Sequence, residues 1–243
     1  LEEEEKNIPL KTNKTSNLEL DFSENSFSIL SRSDGYLKAV DEDGLLKCAV
    51  ENDLYIKLLH RPGDFVFQNA DLMVVRSEHE VEQKLKHKLG SFLIMGGNRI
   101  PEQDVEFAIH QLVQLALRAI SPGINDPHTA MTCIDHLGAA VRLINHKIIP
   151  GPFRFDEKGE KRLILDHVTY DGILDSAFNQ IRQYANGSAD ISIRLLEVFY
   201  EIAESTRDKK RIQAIERHAN MVYGAAKSSL SENDRLDLKE RYD

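Results

Sequence analysis

The chain has 243 residues, with 40 Asp and Glu against 31 Lys and Arg, so its net charge is −9. Hydrophobic residues make up 41% and charged residues 29%, which excludes both a disordered chain and a membrane bundle. The acidic surplus argues against nucleic acid as a partner, because phosphate binding needs a basic face.

The content of 7 Pro and 13 Gly is too low for a fibrous protein. The length permits one large domain or two small ones. Cys48 and Cys133 lie in no metal or redox motif and are flanked by apolar residues. They are expected to be buried, inert thiols, with no metal, no cofactor and no disulfide framework. No apolar run approaches the roughly 20 residues of a spanning helix. The most apolar stretch, residues 112–120, is interrupted by Gln114 and Arg118.

Residues 1–26 are polar and keep no period, which predicts a linker or a loosely held arm. The opening Leu1-Glu2-Glu3-Glu4-Glu5-Lys6 has neither the basic nor the apolar region of a signal peptide. With no starting Met, the chain is expected to be a piece of something longer.

Residues 27–76 predict a small β unit. Short apolar or alternating runs cover 27–30, 36–40, 54–60, 65–67 and 72–75. A brief helical pattern begins at Asp41, with Leu45, Leu46, Ala49 and Val50 on one side. Arg61-Pro62-Gly63-Asp64 has Pro second and Gly third, the pattern of a type II turn. Residues 65–75 are expected to close as a hairpin. The unit resembles half of a barrel-sandwich hybrid fold, without the modifiable Lys that lipoyl and biotinyl carriers present.

Residues 77–243 predict a mainly helical domain, giving an α+β chain overall. Ser77-Glu78-His79-Glu80 has the form of a capping box opening a helix to about residue 89. Pro101 is expected in the first turn of a helix running to 120. Asp126-Pro127 reads as N-cap and first helical residue of a helix running to 146. After a loop at 147–160 and a short strand at 162–165, four helices follow, at about 171–185, 189–206, 208–229 and 232–241.

Two helices carry polar stripes. On 101–120, Asp104, His110, Gln111, Gln114 and Arg118 fall within about 120° of one another. An ordinary solvent face would carry Lys and Glu; these side chains are suited to hydrogen bonding. On 126–146, His128, Thr132, Asp135, Ala139, Arg142 and His146 lie within about 80°. Gly138 beside that row would let a second backbone approach. The five-residue connection 121–125 predicts an antiparallel hairpin in which the stripes could face each other.

Three readings compete for this segment. Arg118, Ser121, Asn125 and Asp126 could be a structural turn, with the stripes zipping the helices together. The start of the second helix, with Arg118 and His128, could hold an anion, although a capping Asp126 opposes this. Asp126, His128 and Asp135 could instead serve acid–base or metal chemistry, in a site near Asp104, Arg118 and Asn125. His128 and Asp135 are about 10.5 Å apart along a helix and cannot share an ion. No nucleophile elbow, phosphate-binding glycine loop or metalloprotease motif is present. Gly96-Gly97-Asn98-Arg99 is more a helix break than a phosphate cradle.

The string Leu117-Arg118-Ala119-Ile120-Ser121-Pro122-Gly123-Ile124-Asn125-Asp126-Pro127-His128 resembles a bacterial family of predicted membrane proteins of unknown function. Asn98-Arg99, Gln103-Asp104, Gln111-Leu112 and Cys133-Ile134-Asp135 fit the same pattern. So do Arg61-Pro62-Gly63-Asp64 and Ala177-Phe178-Asn179-Gln180-Ile181-Arg182. The match runs over about residues 34–240. It departs at His128, where the family pattern has Phe. The resemblance implies about four membrane helices ahead of this region and a cytoplasmic, extramembrane C-terminal part.

The expected function is therefore an extramembrane module that binds a ligand or partner, or assembles subunits. The alternative is an enzyme with a site in 118–135. The expected partners are the protein's own membrane helices, a second copy of the chain and a small ligand or anion.

Overall fold

The computed structural model describes residues 21–185 and 187–242. The arm expected at 1–26 lies mostly outside them. Two sheets form. The first has the order β1 (Ser26–Leu30), β5 (Asp71–Ser77), β3 (Leu54–Leu58), β8 (Lys161–Ile164) and β7 (Phe153–Phe155). The second has the order β4 (Phe65–Val66), β2 (Gly35–Val40) and β6 (Leu93–Gly96). β3 and β8 are parallel; the other pairs are antiparallel. Residues 65–75 do not close on themselves, because β4 pairs with β2 while β5 lies between β1 and β3.

Leu37, Leu54, Ile56, Met73 and Val75 point into the core of this layer. α1 (Glu42–Glu51) and α2 (Gln83–Ser91) cover it, and α1 starts where the Asp41 carboxylate accepts from Gly44 N–H. Leu163 and Leu165 belong to the same core. The β layer thus draws in α2, β6, β7 and β8, all beyond the boundary expected at residue 76.

The capping box at Ser77 does not form. Ser77 ends β5, paired with Leu54, and its hydroxyl donates to His79 O. α2 starts six residues later with no side-chain cap. The pairing of β5 with β3 outcompetes the local cap.

The second core is helical. α3 (Val105–Ala119) and α4 (Pro127–Asn145) make the expected antiparallel hairpin. α3 begins at its N-cap Asp104, not near Pro101. α4 packs on α6 (Ala189–Glu204), and α3 packs on α5 (Tyr170–Tyr184). α7 (Lys209–Ser229) and α8 (Glu232–Tyr242) close the far side. Phe178 and Phe199 meet edge to face at the centre, with centroids 4.9 Å apart. A Cβ at Gly138 would lie 2.4 Å from Val198 Cγ1, so glycine sets how closely α4 and α6 approach.

The two cores meet at the Arg61–Asp64 turn. Gly63 has φ +103°, and a Cβ there would lie 2.5 Å from Asp104 Oδ2. Arg61 donates to Glu106 Oε2 at 2.6 Å, and Ser176 of α5 donates to Glu106 Oε1 at 2.8 Å. Gln103 accepts from Val40 N–H at 3.0 Å. The turn glycine therefore satisfies both a backbone conformation and a close approach between layers.

Candidate functional site

One face of α3 lines a shallow groove of about 460 Å³, bounded by Arg99, Phe107, His110, Gln111, Gln114, Leu115 and Arg118. The first polar stripe therefore faces open space, not the second stripe. Periodicity fixes which residues share a face; it does not say what that face meets.

The groove has an arginine at each end, one paired with a carboxylate and one not. At one end the buried Asp104 carboxylate receives Arg99 Nε at 2.7 Å and Nη2 at 2.9 Å. It also caps α3 by accepting from Phe107 N–H at 3.0 Å. Asp104 thus positions Arg99 and is itself fully engaged. The Arg99 guanidinium lies 5.6 Å from the Phe107 ring centre and 3.5 Å from His110 Nδ1. At the other end Arg118 is exposed, with no side-chain partner among the described residues. Gln111 and Gln114 stand between the two arginines, and Leu115 is 47% exposed beside them.

The turn after α3 is structural. Ser121 Oγ donates to Arg118 O at 2.7 Å, and Asn125 N–H donates to Ser121 O at 2.9 Å. Asn125 takes φ +50°, a conformation that asparagine tolerates better than most residues. Asp126 caps α4, accepting from Thr129 N–H at 3.1 Å and from Thr129 Oγ1 at 2.5 Å. Those bonds hold its carboxyl below the usual carboxylate range. Asp126 forms no ion pair with Arg118. Asp126→Ala should therefore lower the melting temperature, whereas Asp126→Ser should largely preserve it. Equal losses in the two variants would remove the capping role.

The second stripe runs along the edge of α4 toward α6. Asp135 receives Arg194 Nε at 2.6 Å, and Arg142 donates to Glu201 at 3.3 Å. His128 is exposed. Of the eight candidates, Gln111 and Arg118 share the groove, and Asp104 anchors its far wall through Arg99. Ser121, Asn125 and Asp126 build the turn, while His128 and Asp135 lie on the other stripe. Among the described residues no group of three His, Cys, Asp or Glu could hold a metal.

Arg99 was legible only as the end of a glycine-bearing break. Its importance comes from Asp104, five residues on, turning back to grip it.

Many residues that carry the family pattern sit at this junction: the Arg61–Asp64 turn, Arg99, Gln103 and Asp104 under the groove, and Gln111 and Arg118 in it. A family model described as predicted membrane protein (DUF2254) matches residues 1–201. The chain belongs to this family. An uncharacterized protein of Mycobacterium tuberculosis and one of Mycobacterium bovis are each 27% identical to it over 217 residues. That alignment covers 85% of this chain and 41% of each relative, so the chain spans about two fifths of their length. No solved structure matches the chain. Among the described residues of this DUF2254 chain, no helix is long and apolar enough to cross a membrane.

Proposed function

We propose that this chain is an extramembrane binding module of a DUF2254 membrane protein, and that its α3 groove receives an acidic ligand. One observation carries the reading. Arg118 presents an unpartnered guanidinium to a groove that already holds Arg99, His110 and two amides above an apolar wall. An arginine without a carboxylate is an open fork of donors. At the opposite end of α3, Asp104 and Arg99 neutralise one another, so Arg118 carries the groove's uncompensated positive charge in a chain of net charge −9.

An enzymatic reading draws less support from this geometry. His110 is suited to proton transfer, but among the described residues no nucleophile lines the groove beside it. Attachment to membrane helices and a cytoplasmic face belong to the same proposal. Self-association belongs to it too, with exposed Leu115 and Ile124 beside the groove as the candidate contact.

Titration with benzoate tests the groove. The His110 ring and the side-chain amides of Gln111 and Gln114 should shift saturably in NMR spectra. Arg118→Glu should weaken binding by about tenfold or more, the scale of one charge-assisted contact. Unmoved amides in the wild type would end the reading. The orientation is tested separately, by protease treatment of inverted membrane vesicles carrying the whole protein. Cleavage of this region only in right-side-out vesicles would overturn a cytoplasmic face.

A further inference from the structure

A second cleft, of about 510 Å³, lies between α2 and β1, the edge strand of the five-stranded sheet. It shares no residue with the α3 groove. Its floor is apolar, made by Ile29, Leu72 and Leu93. Its rim is cationic. Arg32 comes from the turn after β1, and Lys86 and His87 come from successive positions on α2. Among the described residues no carboxylate lines the cleft.

Arg32, Lys86 and His87 lean on groups other than acids, and only the first two carry charge into the cleft. Arg32 Nη2 lies 3.1 Å from His87 Nδ1. A guanidinium can only donate, so that nitrogen offers its lone pair. Lys86 Nζ sits 4.6 Å from the Phe27 ring centre, held by a π face. Among the described residues none of the three pairs with a carboxylate. Like charges gathered in a concave site repel one another, and low-dielectric walls concentrate their field. Among the described residues no carboxylate is placed to neutralise this rim, although the chain carries nine surplus negative charges. The Ser33 hydroxyl stands at the same rim, while the Ser91 hydroxyl donates to Lys88 O at 2.7 Å.

We propose that this cleft binds a phosphate group carried on a small apolar body. The donor set decides for phosphate over carboxylate. A planar fork at Arg32 and the Ser33 hydroxyl come from the turn after β1, and a point charge at Lys86 comes from α2. A phosphomonoester offers three oxygens and close to two charges to receive them. The apolar floor receives the body of the phosphoester. A lipid headgroup and a free phosphoester present this same chemistry.

The test follows the His87 ring and the Arg32 Nε–H by NMR while phenyl phosphate is added to the chain. Both signals should move saturably, and Arg118→Glu should leave that response unchanged, which separates this cleft from the α3 groove. Arg32→Gln and Lys86→Gln should each weaken binding by about tenfold or more. Inorganic phosphate, which lacks the apolar body, should bind more weakly. A parallel arm sediments the chain with vesicles of phosphatidylcholine and phosphatidylglycerol. Cosedimentation that Lys86→Gln abolishes assigns the phosphate to lipid; binding of phenyl phosphate alone assigns it to a free phosphoester. The proposal fails if the wild type shows no saturable shift at about 10 mM probe, a concentration that would reveal even millimolar affinity. It fails equally if the Arg32→Gln/Lys86→Gln double variant, shown folded by an unchanged thermal melt, responds as the wild type does.

Discussion

Arg162→Met is expected to destabilise the chain by about 3 kcal/mol, the lower end of the cost of stripping one partner from a buried ion pair. Arg162 lies on β8 with only 8% of its side chain exposed. Its guanidinium reaches Asp53 at 2.7 Å, Asp156 at 3.0 Å and Glu160 at 3.0 Å, and it lies over the Tyr55 ring. Asp53 and Glu160 are exposed and lose little when the arginine goes. Asp156 is only 4% exposed and would be left as a buried carboxylate. It keeps backbone N–H donors from Lys158 and Glu160, which places the cost at the lower end. The check is the urea midpoint of the variant against the wild type.

The pH dependence of that deficit has a definite sign. Hydrogen bonds from Glu160 N–H and Arg162 outweigh burial and hold the Asp156 carboxyl below its ordinary value of 3.8. A carboxyl lowered on folding contributes stability above its unfolded value and loses it as pH falls through the folded one. The deficit of Arg162→Met should therefore be full near neutral pH and narrow below about pH 4. A deficit under about 1 kcal/mol at pH 7 would show that the three carboxylates share the arginine without depending on it.

This cluster also shows what the sequence could not reveal. The strand at 161–164 is visible as Arg162-Leu163-Ile164-Leu165, but its neighbour is not. Ile56 pairs with Leu163 across about a hundred residues of intervening chain, and no local pattern encodes a parallel partner at that distance. What was legible is what local chemistry decides. Asp126-Pro127 puts a cap and a first-turn proline side by side, and α4 starts there. Asp41 and the Arg61–Asp64 turn are legible for the same reason. Pro101 misled because helix-start chemistry occurs twice within four residues. Asp104 starts the helix because it also holds Arg99, a tertiary bond that periodicity does not show.

The polar stripes follow the same division. Helical spacing grouped Gln111, Gln114 and Arg118 as one face, and they line one groove. It grouped Asp135 with Arg142, and both pair with α6. The spacing could not say that the first face would stay open and the second would be taken. The cleft beneath α2 left no signal, because Arg32 and His87 are 55 positions apart and each is unremarkable alone.

His218 is the case where burial alone creates a property. It sits on α7 with its side chain fully buried, against Phe178 and Phe199. Nε2 lies 3.2 Å from Asp175 Oδ1, and Nδ1 has no hydrogen-bond partner. Burial, helped by the positive charge of Arg217, pushes the imidazole down to about 4, although Asp175 pulls the other way. The unfolded chain takes up a proton near 6.5, while the folded chain resists until about 4. Between those values the unfolded state binds more protons, so stability falls as pH drops through that window. Above about 6.5 the full contribution is present; below about 4 the loss is complete and flat. The difference corresponds to about 3 kcal/mol. Ordinary carboxylates begin to take up protons toward pH 4, so the wild-type curve alone cannot isolate this group. The informative quantity is the gap between the wild type and His218→Gln, measured by urea unfolding from pH 7.5 to pH 4 and expected to span about 3 kcal/mol. Glutamine keeps a polar side chain beside Asp175 but takes up no proton in that range. The variant should be the less stable protein at neutral pH, through imperfect packing against the two rings, and the wild type should lose that lead as pH falls. A gap that stays constant across the window would show that water or the Asp175 carboxylate stabilises a charged His218 inside the folded core.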